Sequence, residues 1–216
     1  MDLHEVLRST PTARRFKPDP VPDGVLYRIL DSARFAPSGG NRQGWRVIVV
    51  RDAASRRTLR DLYLESWIPY IARGRAALGP APDPSRLKFI ERTDAFAHDL
   101  HLVPLHLLVT VDLGALTVTD KDLPRQSIVG GGSIYPFAHN ILLAARAEGL
   151  AAALTTLIVP AEERLRSLFE IPTEHAVAAL IALGWPDQSL SPRLSRRPVE
   201  EFARLERFDG ESLTSG

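Results

Sequence analysis

The chain has 216 residues, 44% of them apolar, enough to bury one substantial core and to make a single domain over 1–216 the expected organisation. Lys and Arg number 27 against 26 Asp and Glu, so a net charge of +1 gives no global electrostatic pull toward nucleic acid or an acidic membrane surface. Cysteine is absent, which removes disulfides, thiolate nucleophiles, zinc-thiolate sites and cysteine-ligated iron–sulfur clusters, and leaves any redox chemistry dependent on a borrowed cofactor.

Met1 to Glu5 show no basic region followed by an apolar core, and no run of about 18 apolar residues occurs later, so a soluble, cytoplasmic protein is expected. From Pro22 to Ala36 the residues Val25, Leu26, Ile29, Leu30 and Ala33 fall on one helical stripe, with Pro22 and Asp23 suited to a first turn. That helix delivers the chain to a polar loop at Pro37, and Arg46 to Val50 then reads as a buried strand. Ser55 to Tyr70 reads as a helix with Leu59, Leu62, Tyr63 and Trp67 near one face, ended or kinked by Pro69. Gly79 to Pro84 is a breaker-rich loop of the kind that borders a substrate pocket.

Leu105 to Leu113 is the second clear strand. Ser133 to Glu148 is a long helix with Ile134, Phe137, Ala138, Ile141, Leu142 and Ala145 on its apolar side, stopped by Gly149. Leu150 to Val159 reads as a third strand, Ala161 to Phe169 as a short helix and His175 to Gly184 as a fourth strand. Beyond Trp185-Pro186 the chain turns polar and Pro-rich, and residues 186–216 read as an extended C-terminal arm. In it, Val199, Phe202 and Leu205 lie on one side of a short amphipathic segment from Pro198 to Phe208, for which a partner subunit is one candidate surface. Strands separated by helices suggest a layered α/β-type domain, yet the helices are too long and uneven for regular βαβ repetition.

The loop from Ala36 to Gly44 carries the chemistry. Pro37 ends a helix, Gly39 and Gly40 let backbone approach a ligand, and Ser38, Asn41 and Gln43 offer donors and acceptors beside Trp45. A planar, polar-edged heterocycle suits such a turn.

This stretch resembles the Ala-Pro-Ser-x-x-Asn-x-Gln-Pro-Trp-Arg segment of the flavin-dependent nitroreductase family, and the similarity extends upstream through Arg14-Arg15-Phe16-Lys17-Pro18. The resemblance implies an α+β, three-layer domain with a central mixed sheet flanked by helices. It further implies a homodimer with exchanged C-terminal arms and FMN bound across the subunit interface. The family's Arg-Arg-Ser-x-Arg-x-Phe pattern places its Ser on Thr12 and its last Arg on Arg14, while its paired arginines fall on Thr10 and Pro11, leaving Arg8 as a nearby substitute. Arg196 and Arg197, before Pro198, match a second basic segment that meets the phosphate. Leu154, Thr155 and Thr156 fall where the family presents backbone amides to the flavin. Arg14 is also expected to act in catalysis, because a cation near flavin N1 and O2 stabilises the reduced, anionic form. Gly44, where the family has Pro, implies a looser approach to Trp45.

Other signals yield to plainer readings. Gly130-Gly131-Gly132-Ser133 lacks Gly-x-Gly-x-x-Gly spacing and a preceding strand, and reads as a flexible helix entry. His98, His101 and His106 lack an acidic partner at zinc-site spacing, so no metal is expected, and Asp94, Asp99 and Asp112 read as surface and turn residues. The resemblance thus implies an oxidoreductase in which NAD(P)H reduces bound FMN and a small electron-poor acceptor, a nitroaromatic or quinone, then takes the electrons in ping-pong fashion. Trp45, the Trp67 to Tyr70 segment and the Pro-rich loop are the expected walls for the acceptor. The alternative is a flavin-binding protein of the same fold that stores the cofactor without turnover.

Overall fold

The computed structural model describes residues 1–215, an α+β arrangement of six α-helices and one four-stranded sheet. Short acidic caps start several helices. Asp2 accepts a hydrogen bond from the Glu5 amide at α1 (Leu3–Ser9), Asp52 from Ser55 at α3 (Ala53–Ala76), and Asp83 from Ser85 at α4 (Pro84–His98). Helix α2 (Asp23–Ala33) begins after Pro22, and α5 (Tyr135–Ala147) ends at Gly149, which takes φ 82° so that the Leu150 amide donates back to the Ala145 carbonyl at 2.8 Å. Helix α6 (Glu162–Phe169) closes the set.

The strands β1 (Trp45–Val50), β2 (Leu105–Asp112), β3 (Ala151–Thr155) and β4 (His175–Gly184) lie in the order β1-β2-β4-β3, and every pair is antiparallel. The expected mixed sheet is therefore corrected. The parallel contact is a single bridge, Thr12 to Ala152, where the Ala13 amide donates to the Ala152 carbonyl at 3.0 Å.

Alternation along β2 divides the core. Leu105, Leu107, Val109 and Val111 join Ile29, Ala33, Phe137 and Ile141 in a cluster beneath α2 and α5, whereas Leu108 joins Leu59, Tyr63, Trp67 and Leu165 beneath α3 and α6. The central sheet is thus covered by helices on both faces, with β2 buried between them and carrying His106 and Thr110 among its apolar residues.

Three segments depart from the expectations. Helix α3 runs seven residues past Pro69, because Leu59, Leu62, Tyr63, Trp67 and Ile71 are buried on both sides of it and Pro69 itself faces outward. Buried side chains worth about 1.5–3 kcal/mol each outweigh the cost of about 3 kcal/mol for an interior proline. The strand expected to reach Val159 stops at Thr155, where Leu157 donates to the Thr155 hydroxyl and the chain turns into a 3₁₀ segment, Val159–Ala161. Within Pro198 to Phe208 the regular structure is one 3₁₀ turn, Val199–Glu201. Beyond it the tail folds on itself, Leu205 donating to Glu211 and Leu213 to Ala203, with Phe202 and Phe208 exposed.

Candidate functional site

Ser38 to Gln43 form a tight turn held by its own atoms and by Ser133. The Gln43 amide donates to the Ser38 hydroxyl at 3.0 Å, the Gln43 side-chain amide to Asn41 Oδ1 at 3.1 Å, and the Gly39 amide to the Ser133 hydroxyl at 3.0 Å. Gly40, Asn41 and Gln43 have φ of 61°, 54° and 51°, left-handed conformations that glycine adopts freely and the other two tolerate at a cost. Pro37 and Asn41 are exposed at the rim of the turn. The turn sits on the α2 and α5 side of the sheet, because Ser133 leads into α5 and both Ala36 and Trp45 belong to that core cluster.

Two residues near this turn have roles other than those expected. Trp45 is buried and stacks on Phe137 with centroids 4.6 Å apart and planes 2° from parallel, so it is core rather than a pocket wall. Gly44 is closely packed: its carbonyl accepts from the Asp112 amide at 2.8 Å, and a Cβ there would fall 2.5 Å from the Ala115 Cβ. It is a contact point, not a loose joint.

Thr12, Arg14, Leu154 and Thr155 meet elsewhere, around a cavity of about 160 Å³ on the α3 side, together with Tyr63 and Trp67. The Thr12–Ala152 bridge brings the N-terminal segment alongside β3, so Arg14 emerges beside Thr155. Arg14 is half-buried; its guanidinium lies 5.0 Å from the centroid of Phe89, and among the described residues its sole side-chain hydrogen bond is a long one, 3.5 Å to the Thr12 carbonyl. Among the described residues no carboxylate pairs with it. Burial, then repulsion from Arg92, lowers its pKa, and Tyr63 opposes that effect. Burial pushes the Tyr63 phenol up to about 12, against the hydroxyl of Thr155 and the charge of Arg14. Tyr63 is therefore a neutral donor over the whole physiological range.

Arg14 also borders a larger cavity of about 550 Å³, walled by Trp67, Tyr70 and Phe89. Asp94 orients that wall: Oδ1 accepts from Trp67 Nε1 at 2.9 Å while Oδ2 pairs with Arg75 at 2.8 Å. Trp67 and Tyr70 line both cavities beside Arg14, whereas no residue of the Pro-rich loop from Gly79 to Pro84 lines either. Sequence reasoning missed Phe89 and Arg92 because α4 has a weak apolar stripe, Ile90, Thr93 and Ala97, interrupted by a threonine.

Thr156 is exposed and lines neither cavity. Arg196 and Arg197 are likewise exposed; the Arg196 guanidinium donates to the Ser195 carbonyl at 2.7 Å. Their segment does return to the N-terminal region, since the Leu194 amide donates to the Arg8 carbonyl at 2.8 Å and residues 188–191 face Thr12 and Arg14 across a third cavity. The Thr10 hydroxyl is spent on the Val6 carbonyl at 2.7 Å.

The residues expected in one site therefore form two clusters. The turn precedes β1 at one edge of the sheet, and Leu154 and Thr155 lie on β3 at the other, three strand spacings or about 14 Å across the sheet and further offset along the strands. Thr155 borders the cavity on the α3 side, whereas Leu154 also packs against the α2 and α5 cluster that holds Ala36 and Trp45. Among the described residues no helix is long and apolar enough to cross a membrane, and no group of three or more His, Cys, Asp or Glu gathers as a metal site.

A sequence model of the nitroreductase family matches residues 7–185. An NADH dehydrogenase of Thermus thermophilus is 31% identical over 201 residues, covering 87% of each chain. A 5,6-dimethylbenzimidazole synthase of Rhodospirillum rubrum is 29% identical over 204 residues, 89% of this chain and 82% of that protein. Among solved structures, an oxidised iodotyrosine deiodinase bound to FMN and 3-iodo-L-tyrosine aligns over 96% of this chain and 100% of its own with a TM-score of 0.72 at 22% identity.

Proposed function

Because the chain belongs to the nitroreductase family, we propose that it is an FMN-dependent oxidoreductase that passes a hydride from NAD(P)H to a small electron-poor acceptor by a ping-pong route. FMN, when bound, supplies the capacity to accept a hydride from one substrate and deliver it to the next. The observation that carries this reading is the Arg14 cluster. A half-buried guanidinium with no carboxylate, a neutral phenol and a second arginine all donate, so the site calls for an anionic or electron-rich ligand. That donor set fits FMN, with Arg14, Thr12 and Thr155 as the holding residues.

Arg14 has two tasks here. Its charge offsets the negative charge that accumulates on reduction, and its contact with Phe89 keeps the guanidinium at the cavity mouth rather than in bulk water. Tyr63 contributes a fixed neutral donor, and Trp67, pinned by Asp94, excludes water from one side. No side chain is needed as a general acid, since solvent can supply protons to the reduced acceptor.

The wide separation of the two clusters supports a homodimer. Pro37, Ser38, Gly39, Asn41 and Gln43 on one copy complete the site of the other, and the segment of Arg196 and Arg197 adds positive charge near the N-terminal region. The exposed Val199, Phe202 and Leu205 are the surface that exchanged arms would cover. This protein would work in the cytoplasm, on small molecules.

The decisive experiment is direct. Protein reconstituted with FMN should show flavin absorbance, bleach when NADPH or NADH is added without oxygen, and recover colour with a quinone. Sedimentation should give a dimer. A second reading, flavin storage without turnover, draws on the family's paired arginines falling on Thr10 and Pro11, with the Thr10 hydroxyl committed to α1. A protein that binds FMN yet stays oxidised in NADPH and NADH would favour that reading.

A further inference from the structure

Residues 116–128 have neither helix nor strand, a length at which a loop in a compact domain is uncommon without a task. The loop holds Asp120, the one buried carboxylate among the described residues, 3% exposed. The chain wraps that carboxylate in donors: Oδ1 accepts from the Ser127 hydroxyl at 2.7 Å, and Oδ2 from the Arg125 guanidinium at 2.8 Å and the Ile128 amide at 2.9 Å. The Ile128 amide, then the Ser127 hydroxyl, hold its pKa well below the usual carboxylate range, against the opposing effect of burial. Asp120 is thus an ionised clasp that draws the far end of the loop back onto its start.

Both ends of the loop reach the Ser38 turn. Thr117, just before Asp120, accepts from the Arg42 guanidinium at 2.8 Å, and Ser133, just past the loop, accepts from the Gly39 amide at 3.0 Å. The ends also touch each other, since a Cβ on Gly130 would lie 3.3 Å from Val118 Cγ2. Between the clasp and Ser133 run Gly130, Gly131 and Gly132, the residue type with most backbone freedom to lose on ordering. Pinning the Ile128 amide restrains that run at its near end.

We propose that Asp120 is a positioning residue for the cofactor: by holding the loop closed it sets Thr117 against Arg42 and Ser133 against Gly39, and so fixes the shape in which the Ser38 turn meets FMN. The inference rests on the function proposed above and on the part given there to the turn. Asp120 itself touches no ligand. Its effect travels through two hydrogen bonds, each of which can be removed separately.

The test begins on the full chain without FMN, by nitrogen-15 relaxation of the backbone amides. Asp120→Asn keeps one acceptor oxygen but sets an amide donor where Arg125 and Ile128 need an acceptor, so the clasp should open. Order parameters of the Gly39 and Gln43 amides should then fall below about 0.6, while those of β2 and β4 stay near the rigid value of about 0.85. Ser127→Ala, which removes a single donor, should move the same amides less, and it reads the effect if Asp120→Asn does not fold. Turn amides that stay rigid in both variants overturn the inference, as does a loosening that spreads equally through the sheet.

FMN titration supplies the second readout. Asp120→Asn should weaken FMN binding about tenfold, within the range for a residue that acts through others. Combined with Ser133→Ala, the loss should be less than the product of the two single losses, because both act on the Gly39 contact; combined with Arg14→Ala, which belongs to the other cluster, the losses should multiply. A turn that loosens while FMN affinity keeps its wild-type value overturns this inference alone, and so do losses that multiply for Asp120 and Ser133. A wild-type protein that takes up no FMN overturns the functional reading, and the role of Asp120 toward the cofactor with it.

Discussion

The two faces of the sheet are built on different principles. Beneath α2 and α5 the strand β2 presents Leu105, Leu107, Val109 and Val111, a dry apolar layer, and the turn at Ser38 is attached to it by local hydrogen bonds. Beneath α3 the same strand presents His106 and Leu108, and around them lie Tyr63, Arg14 and Arg56, polar groups buried or half-buried with incomplete partners. The contrast separates the rigid part of the candidate site from the charged part. A scaffold face tolerates no polar defect, whereas the α3 face holds several, which is where ligand chemistry is expected to concentrate.

Acid should break the α3 face first. His106 is fully buried, neither ring nitrogen has a hydrogen-bond partner, and burial followed by the nearby Arg56 holds its pKa down at about 3. Below about 6.5 the unfolded chain binds a proton at this histidine that the folded chain refuses until pH falls near 3. The sign is therefore destabilising on acidification, on the order of 1 kcal/mol for each pH unit across that window, several in all. Chemical denaturation of wild type and His106→Leu at a series of pH values checks it. The variant should lose less stability between pH 6.5 and 4; parallel curves would remove His106 as the cause.

On the other face the sensitivity is steric. Gly44→Ala puts a methyl group 2.5 Å from the Ala115 Cβ, and Gly39→Ala puts one at an ordinary 3.5 Å from the Ser133 hydroxyl. The first should cost about 1–3 kcal/mol as overpacking, the second only a few tenths. Thermal midpoints of the pair measure the difference, and equal midpoints would mean that the Ala115 turn yields freely.

The same division explains what could be read from the sequence. β4 was legible at both ends, His175 and Gly184, and α5 to within two residues at its start and one at its end, because an unbroken apolar run and a helical stripe stopped by Gly149 are local signals. The turn at Ser38 was legible for the same reason, since Pro37, Gly39 and Gly40 act on their own neighbours. Helix α4 was not, and with it Phe89 and Arg92 were lost, because Thr93 sits buried with its hydroxyl satisfied by Phe89 and Ile90 carbonyls and so breaks the stripe. The continuation of α3 past Pro69 was hidden because packing at Trp67 and Ile71 decides it, not local propensity. Nor did spacing along the chain reveal that the Ser38 turn and Thr155 lie at opposite edges of the sheet, a property of strand order.

Removing the charge of the α3 face should leave the fold and weaken the ligand. Arg14→Ala deletes a half-buried guanidinium that has no ion pair to lose, so the thermal midpoint of the FMN-free protein should stay level or rise slightly as repulsion from Arg92 is relieved. FMN affinity should drop by about 1–3 kcal/mol, the range of a charge-assisted contact. Fluorescence titration with FMN measures it, and an unchanged Kd would detach Arg14 from the cofactor.

The smallest effect is expected at the turn. Ser38→Ala removes the acceptor for the Gln43 amide but leaves the Gly39 contact with Ser133, and the turn is solvent-facing, so water can replace the lost partner. The cost to stability should stay near 1 kcal/mol, the net worth of one neutral hydrogen bond. Its consequence for function should exceed its consequence for folding, because Gln43 at φ 51° relies on that bond to remain left-handed, and in the proposed dimer relaxation would carry the Asn41 and Gln43 side chains away from the second copy. In a dimer assay at limiting FMN, Ser38→Ala should therefore reduce cofactor retention several-fold while Ser38→Thr, which keeps the hydroxyl, reduces it less. Equal retention in all three proteins would show that the turn acts on the fold alone and that the α3 face binds FMN without it.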